Sequence, residues 1–307
     1  MKMTLNLILF SLVLFTSCKE DDTTDPDPNP EPITVQGLTF APSGQNFLVT
    51  DLAIQQALEA AEPITIVAEV NHRRNAASVE KELRNTKVIL FGNPALGTPL
   101  MQANQLAGLD LPQKLFLWED AQDSVRVGFN NVSYLQARHG LEGLPQLETI
   151  NNALTNFATI VGGNMVISND ADDITIGEGI ITKESTNSFE DTYNALVNAI
   201  EGNENLRLVA TLDHQANAAS VGQELNPTRL IVFGNPNLGT PLMQASQTTG
   251  IDLPQKFLVW EDGEGNVKVS YNDPAFLVKR HGIEGNEDVL TNITGALDNL
   301  SNAAAGL

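Results

Sequence analysis

Two tandem copies of an α+β domain, each a mainly antiparallel sheet with helices packed chiefly on one face, are what this 307-residue sequence predicts. Three observations carry that expectation. The chain repeats itself at a period of 142 residues, so that His72 aligns with His214, Phe91 with Phe233, Trp118 with Trp260 and His139 with His281 without a gap. Within each unit, short apolar strand-like runs alternate with helical segments. The last two of these runs are joined by a tight turn and read as a hairpin, a combination typical of α+β domains. Across residues 72–143 and 214–285, 41 of 72 positions are identical, far above what an unrelated pairing would show. Each unit is about 120 residues long, the size of one folding domain. The predicted units are 37–160 and 179–307, and 161–178, containing Asn169-Asp170-Ala171-Asp172-Asp173, is the expected linker.

Each unit opens with a strand, 37–40 and 179–182, followed by a helix at 47–61 and 189–200. In the second copy Ser188 is a natural N-cap with Asp191 three residues on, and Gly202 stops the helix. Apolar strands follow at 64–70 and 206–212, then short helices expected at 76–83 and 218–225, the latter ending before Pro227. Strands at 87–91 and 229–233 lead into a Gly/Pro loop and a further helix. The hairpin strands are 114–118 and 125–129, and the turn of the second copy reads Asp262-Gly263-Glu264-Gly265-Asn266. Short helices at 133–138 and in the tails 147–158 and 290–301 close the units.

The N-terminus is of a different kind. Met1-Lys2-Met3-Thr4 precedes an apolar run from Leu5 to Phe15 and then Thr16-Ser17-Cys18, the pattern of a secretory signal over residues 1–17. The run is too short to span a bilayer, which takes about 20 residues. Phe15-Thr16-Ser17-Cys18 resembles a bacterial lipobox, which implies lipidation of Cys18 and an anchor in the membrane. Residues 19–36 hold six acids, one lysine and four prolines, and together with Cys18 form an expected extended tether over 18–36. The acids directly after Cys18 resemble the export signal of surface-exposed lipoproteins in Bacteroidetes-type bacteria. The expected location is therefore the cell envelope, at the outer membrane and exposed at its surface. With 38 acidic against 17 basic residues the formal charge is −21, which repels polyphosphates and excludes nucleic acid as a partner. A single cysteine excludes an intramolecular disulfide and any multi-thiolate metal site.

The two copies match most densely at Phe91-Gly92-Asn93-Pro94-Ala95-Leu96-Gly97-Thr98-Pro99-Leu100-Met101-Gln102-Ala103, which returns at 233–245 with only Ala95 changed, to Asn237. With Asp110-Leu111-Pro112, Trp118-Glu119-Asp120 and their partners Asp252-Leu253-Pro254 and Trp260-Glu261-Asp262, both units resemble the family called domain of unknown function 302. The second copy adds Tyr271-Asn272-Asp273-Pro274 and Arg280-His281-Gly282. The resemblance implies a compact α+β fold and brings no activity with it. The first copy departs at Asn130-Asn131-Val132, where the second has Asn272-Asp273-Pro274.

Read physically, Asn93-Pro94 and Asn235-Pro236 turn the chain out of a strand. Thr98 and Thr240 are expected to cap the next helix, with Pro99 and Pro241 at its first position. Gly108 and Gly250 are expected to stop it in the left-handed region. Alternatively Gly92, Asn93, Gly97 and Thr98, with Gly234, Asn235, Gly239 and Thr240, offer free N–H groups at a helix N-terminus for an anion or other ligand. The Lys-Ser/Thr of a phosphate-binding Walker loop is missing.

All four histidines stand at paired positions. Helix-end and loop hydrogen bonding is one reading. A polar cluster of His72, His139 and Glu119, repeated with His214 and His281, is the other, for metal or acid–base work. Two histidines per unit, without His-x-x-x-His spacing, fall short of the three or four ligands a metal needs, so neither metal nor cofactor is expected. No Gly-x-Ser-x-Gly elbow is present and the only thiol is assigned to lipid, so no catalytic residue is expected. Trp118 and Trp260 read as core or rim packing. The expectation is a non-catalytic binding or interaction module of the cell envelope. The alternative is a ligand, anion or metal site in each copy, built from its own loop and histidines and possibly enzymatic. A further expectation pairs the two copies face to face within one chain as an intramolecular pseudo-dimer.

Overall fold

The computed structural model describes residues 32–162 and 165–307. Cys18, the signal and most of the tether lie outside the described residues.

In the first repeat the order is β1 (Leu38–Pro42), α1 (Phe47–Ala60), β2 (Thr65–Asn71), α2 (His72–Ala77), β3 (Thr86–Gly92), α3 (Pro94–Ala103), β4 (Gln113–Glu119), β5 (Val125–Asn130), α4 (Val132–His139) and α5 (Gln146–Thr159). A two-residue strand, β6 (Ile167–Ser168), precedes the second repeat. That repeat runs β7 (Ile180–Glu184), α6 (Phe189–Glu201), β8 (Arg207–Asp213), α7 (His214–Ser220), β9 (Thr228–Gly234), α8 (Pro236–Ala245), β10 (Gln255–Glu261), β11 (Val267–Asn272), α9 (Pro274–His281) and α10 (Glu287–Ala305). A 3-10 turn follows α3 and α8, at Gln105–Leu109 and Gln247–Ile251.

Two antiparallel sheets result, ordered β2-β3-β4-β5-β1-β6 and β7-β11-β10-β9-β8. Strand alternation decides what each face meets. Ile89, Phe91, Leu115, Leu117, Val127 and Phe129 of the first sheet pack with Ile54 and Leu58 of α1 and Ile150 and Leu154 of α5. The intervening Val88, Leu90, Phe116 and Trp118 turn the other way and share one buried core with Leu230, Val232 and Leu258 of the second sheet. The arrangement is helix, sheet, sheet, helix, so residues 33–307 form one compact unit. The helices do lie on one face of each sheet, and the opposite face is covered by the other copy. Trp118 is a core residue, stacked on Phe116 at 4.9 Å, while Trp260 is partly buried and donates from Nε1 to Ser270.

Several expectations are corrected. The short helices begin at His72 and His214, four residues earlier than expected, because the Asn71 and Asp213 side chains accept the N–H groups of Arg74 and Ala216 and start them there. Likewise α3 and α8 are capped by Asn93 and Asn235 and carry Pro94 and Pro236 at their first position, so Thr98 and Thr240 are not caps. Pro99 and Pro241 fall inside these helices, and the Ala95 carbonyl, which an N–H at position 99 would have used, accepts from Gln223 of the other repeat at 3.3 Å.

Gly108 and Gly250 are not left-handed stops; a Cβ on Gly108 would meet Leu258 at 2.9 Å and one on Gly250 would meet Phe116 at 2.7 Å. These glycines let the two copies approach. Part of the expected linker is structural: β6 pairs with β1, and Ala171 and Ile174 are buried in the first core. The end of the expected tether is fixed as well, since Val35 is buried and Asn169 donates to the Ile33 and Val35 carbonyls.

Candidate functional sites between the repeats

His72 stands at the junction of β2 and α2, where Asn71 ends the strand and caps the helix. Its ring is buried and donates from Nε2 to the Gly250 carbonyl of the other repeat at 3.0 Å. Burial lowers its pKa to about 4, the Gly250 hydrogen bond offsetting this only in part, so the ring is neutral at pH 7. His214 occupies the mirrored position against Gly108. Burial again outweighs Asp213 and the Gly108 carbonyl and holds its pKa at about 4, while its Nε2 lacks a well-formed hydrogen bond.

Because each histidine reaches across, each Gly-Asn-Pro loop meets the histidine of the opposite copy. One cavity of about 580 Å³ is walled by Gly234, Asn235, Gly239 and Thr240 from the second repeat and by His72 and Asn75 from the first. The other, about 340 Å³, is walled by Gly92, Asn93, Gly97 and Thr98 from the first repeat and by His214 and Asn217 from the second. Both run between a sheet and its covering helix, past Leu297 of α10 in one case and Leu154 of α5 in the other. The expectation of a loop and histidine within one copy is thereby corrected: the partners come from different copies.

The loops themselves offer no free N–H at the helix start. Asn93 Oδ1 takes the Ala95 N–H, and the Asn93 carbonyl takes those of Leu96 and Gly97. In the second copy Asn235 does the same for Asn237, Leu238 and Gly239. An anion held by these amides is therefore not what the loop is built for. What the cavity walls do leave open are side chains. The Thr98 and Thr240 hydroxyls and the Gln113 and Gln255 amide nitrogens are buried with no hydrogen-bond partner, at matched positions in both copies. Buried polar groups are nearly always paired, so these matched orphans are the polar groups that each cavity wall presents.

His139 and His281 go elsewhere. Each donates from Nε2 to a buried carboxylate at 2.8 Å, Asp110 and Asp252 respectively. Thr248 donates to His281 Nδ1 at 3.0 Å, which fixes the tautomer of that ring. Arg138 joins Asp110 at 2.8 Å and reaches over to Asn272 and the Gly179 carbonyl; Arg280 joins Asp252 at 2.6 Å and reaches back to Asn130 and the Gln36 carbonyl. Lys114 lies 3.4 Å from Asp252 and 4.0 Å from Asp110. Burial alone would raise the Asp110 carboxyl, but Arg138, His139 and Lys114 more than offset it and hold it well below the ordinary carboxylate range; Arg280, Lys114 and His281 do the same for Asp252. This is a structural clasp between the copies.

Glu119 is bonded to Asn85, so the expected cluster of His72, His139 and Glu119 does not form. Among the described residues no group of three or more His, Cys, Asp or Glu is placed to hold a metal. The clasp had a signal in the sequence, the paired Asp110/Asp252 and Arg138/Arg280, but nothing in the spacing said that each arginine bridges to the other copy.

The family model described as "Domain of unknown function DUF302" matches residues 41–158 and 181–300. The chain belongs to this family, twice over. Curated relatives of the DUF302 chain include the fluoride-specific ion channel FluC 1 of Brucella suis, 43% identical over 114 residues, which cover 37% of this chain and 44% of that protein. The fluoride-specific ion channel FluC 2 of Brucella melitensis is also 43% identical over 114 residues, covering 37% of this chain and 42% of its own. The chain thus spans less than half the length of the curated relatives it matches, and the shared stretch is the length of one DUF302 unit. A solved structure of an uncharacterized DUF302 protein from Bacillus stearothermophilus is similar with a TM-score of 0.38 and 16% identity, covering 41% of this chain and 98% of that one. No helix among the described residues is long and apolar enough to cross a membrane.

Proposed function

We propose that this protein is a non-catalytic small-ligand binder of the cell envelope, in which two DUF302 units act as an intramolecular pseudo-dimer and each completes the other's pocket. The observation that carries the reading is the pair of cavities whose walls come from both copies and whose threonine and glutamine side chains lack partners at equivalent places. Apolar walls with a few convergent polar groups are the usual form of a small-molecule site. Phe233, Leu238, Met243 and Leu297 in one cavity, and Phe91, Leu96, Met101 and Leu154 in the other, favour a ligand with an apolar body. The orphan hydroxyl and amide favour one oxygen-bearing end.

Calorimetric titration of the full chain carrying Cys18→Ser with 1-decanol is expected to show about two sites per chain, one for each pocket. Ala153 and Ala296 line the smaller and larger cavity on the faces of α5 and α10, so Ala153→Trp and Ala296→Trp should each remove one site. No uptake by the parent chain would overturn the reading. The anchor is a separate element of the proposal and rests on the Phe15-Thr16-Ser17-Cys18 pattern and the acidic tether. Cys18→Ser is expected to abolish incorporation of labelled palmitate and to move the protein from the membrane to the soluble fraction; unchanged fractionation would sink the anchor.

A further inference from the structure

The two pockets are built alike but charged differently. Arg74 and Arg207 stand on the wall of the larger one. Arg207 donates to Ser78 at 3.1 Å, and neither guanidinium forms an ion pair among the described residues. Lys87, also on this wall, is held by Asp51 and Glu69, each at 2.6 Å, so these three charges are largely committed to one another. With His72 neutral, the wall carries two cations free to meet a ligand, and a net charge of +1 from three cations and two carboxylates.

At the equivalent positions of the smaller pocket, 142 residues away, Arg74 is replaced by Ala216 and Arg207 by Thr65. The charged residue on that wall is Glu62. One site therefore attracts a negative group and the other repels it. Also on the wall of the larger pocket, Thr240 and Gln255 are at least nine-tenths buried and make no hydrogen bond through the hydroxyl or the amide. A carboxylate oxygen could accept from both.

We infer that the larger pocket accepts an amphipathic carboxylate, an apolar body ending in one carboxyl group, as well as its neutral counterpart, whereas the smaller pocket takes only uncharged molecules of that shape. This rests on the reading of both cavities as ligand sites. The chain's −21 field repels anions at long range. Selection for a carboxylate must then come from cations on the pocket wall itself, since charges are screened over about 8 Å at physiological salt, and Arg74 and Arg207 are the wall cations not committed to an ion pair among the described residues.

Decanoate and 1-decanol, equal in chain length, separate the two ideas in calorimetric titrations of the full chain with Cys18→Ser. Decanoate is expected to fill about one site per chain and decanol about two. Ala296→Trp should abolish decanoate binding and Ala153→Trp should leave it intact. Because both arginines are exposed, the double change Arg74→Ala and Arg207→Ala is expected to weaken decanoate about fivefold and to leave decanol unchanged. Decanol at two sites with decanoate at two, or at none, would overturn this inference alone, as would an Arg74/Arg207 double variant with unaltered decanoate affinity. Failure of both compounds to bind would overturn the reading of the cavities as well.

Discussion

Acidification from pH 7 to pH 4 is expected to strip this protein of about 6 kcal/mol of folding stability before most of its carboxylates titrate. The source is His72 and His214, both buried and held neutral with pKa values of about 4. In the unfolded chain each titrates near 6.5, so between pH 6.5 and 4 the unfolded state takes up protons that the folded state refuses. A depressed histidine pKa therefore gives stability that is complete above 6.5 and falls as the pH drops towards 4. At 1.36 kcal/mol per pKa unit each ring accounts for about 3 kcal/mol by pH 4. Burial lowers the pKa of His281 as well, against the pull of Asp252, and it acts with the same sign. Asp110 and Asp252, held low in the fold, add their loss below the unfolded carboxylate value near 3.9. Domains are stable by only about 5–15 kcal/mol, so the transition should be visible directly. Urea unfolding midpoints at pH 7 and pH 4.5 for the parent and for His72→Gln with His214→Gln provide the measurement. The double variant is expected to lose much less on acidification; parallel losses in the two proteins would refute the assignment to these rings.

Much of this architecture was legible in the residues. The repeat, its register and the paired histidines were visible on comparing the two halves, and the hairpins and the Ser188 cap because they depend on contacts close in sequence. The covering of the second sheet face was visible too, in principle. The run Val88-Ile89-Leu90-Phe91 has no polar alternation, and a continuous apolar strand is buried on both faces. What the residues could not carry was the pairing of loop with histidine. A 142-residue offset relates Asn93 to Asn235 and His72 to His214 as equivalents, and equivalence says nothing about whether Asn93 approaches His72 or His214. That choice is made by the close approach at Gly108 and Gly250, whose missing Cβ atoms admit Leu258 and Phe116 from the opposite copy. In a chain read alone, those glycines look like ordinary helix stops. Thr98-Pro99 likewise resembles a cap followed by a first-turn proline. The structure starts the helix a turn earlier because Asn93 competes better for the first free N–H.

Replacing Arg138 by alanine is expected to cost about 3–5 kcal/mol, the range seen when one partner of a buried ion pair is removed. Arg138 is fully buried, and its guanidinium is satisfied by Asp110, the Tyr134 hydroxyl, the Glu178 and Gly179 carbonyls and Asn272, and lies over the Phe276 ring at 4.5 Å. Truncation leaves two acceptors in the second half of the chain, the Glu178 carbonyl and Asn272 Oδ1, without a donor, while the Gly179 carbonyl keeps the Asp273 N–H, and it opens a void between the copies. By contrast Arg84→Ala, which breaks an exposed pair with Asp123, should cost well under about 1 kcal/mol. Denaturant unfolding of Arg138→Met, Asp110→Asn and the double variant tests the mechanism. If the charge pair itself carries the effect, the double loss will fall short of the summed single losses by about 1 kcal/mol or more. Strict additivity would instead assign the cost to packing around Phe276. Because Arg138 ties the copies together and each cavity has walls from both, the alanine variant is also expected to weaken decanol uptake at both sites while it is still folded. A variant that binds at two sites with undiminished affinity would show that the pockets stand without the clasp.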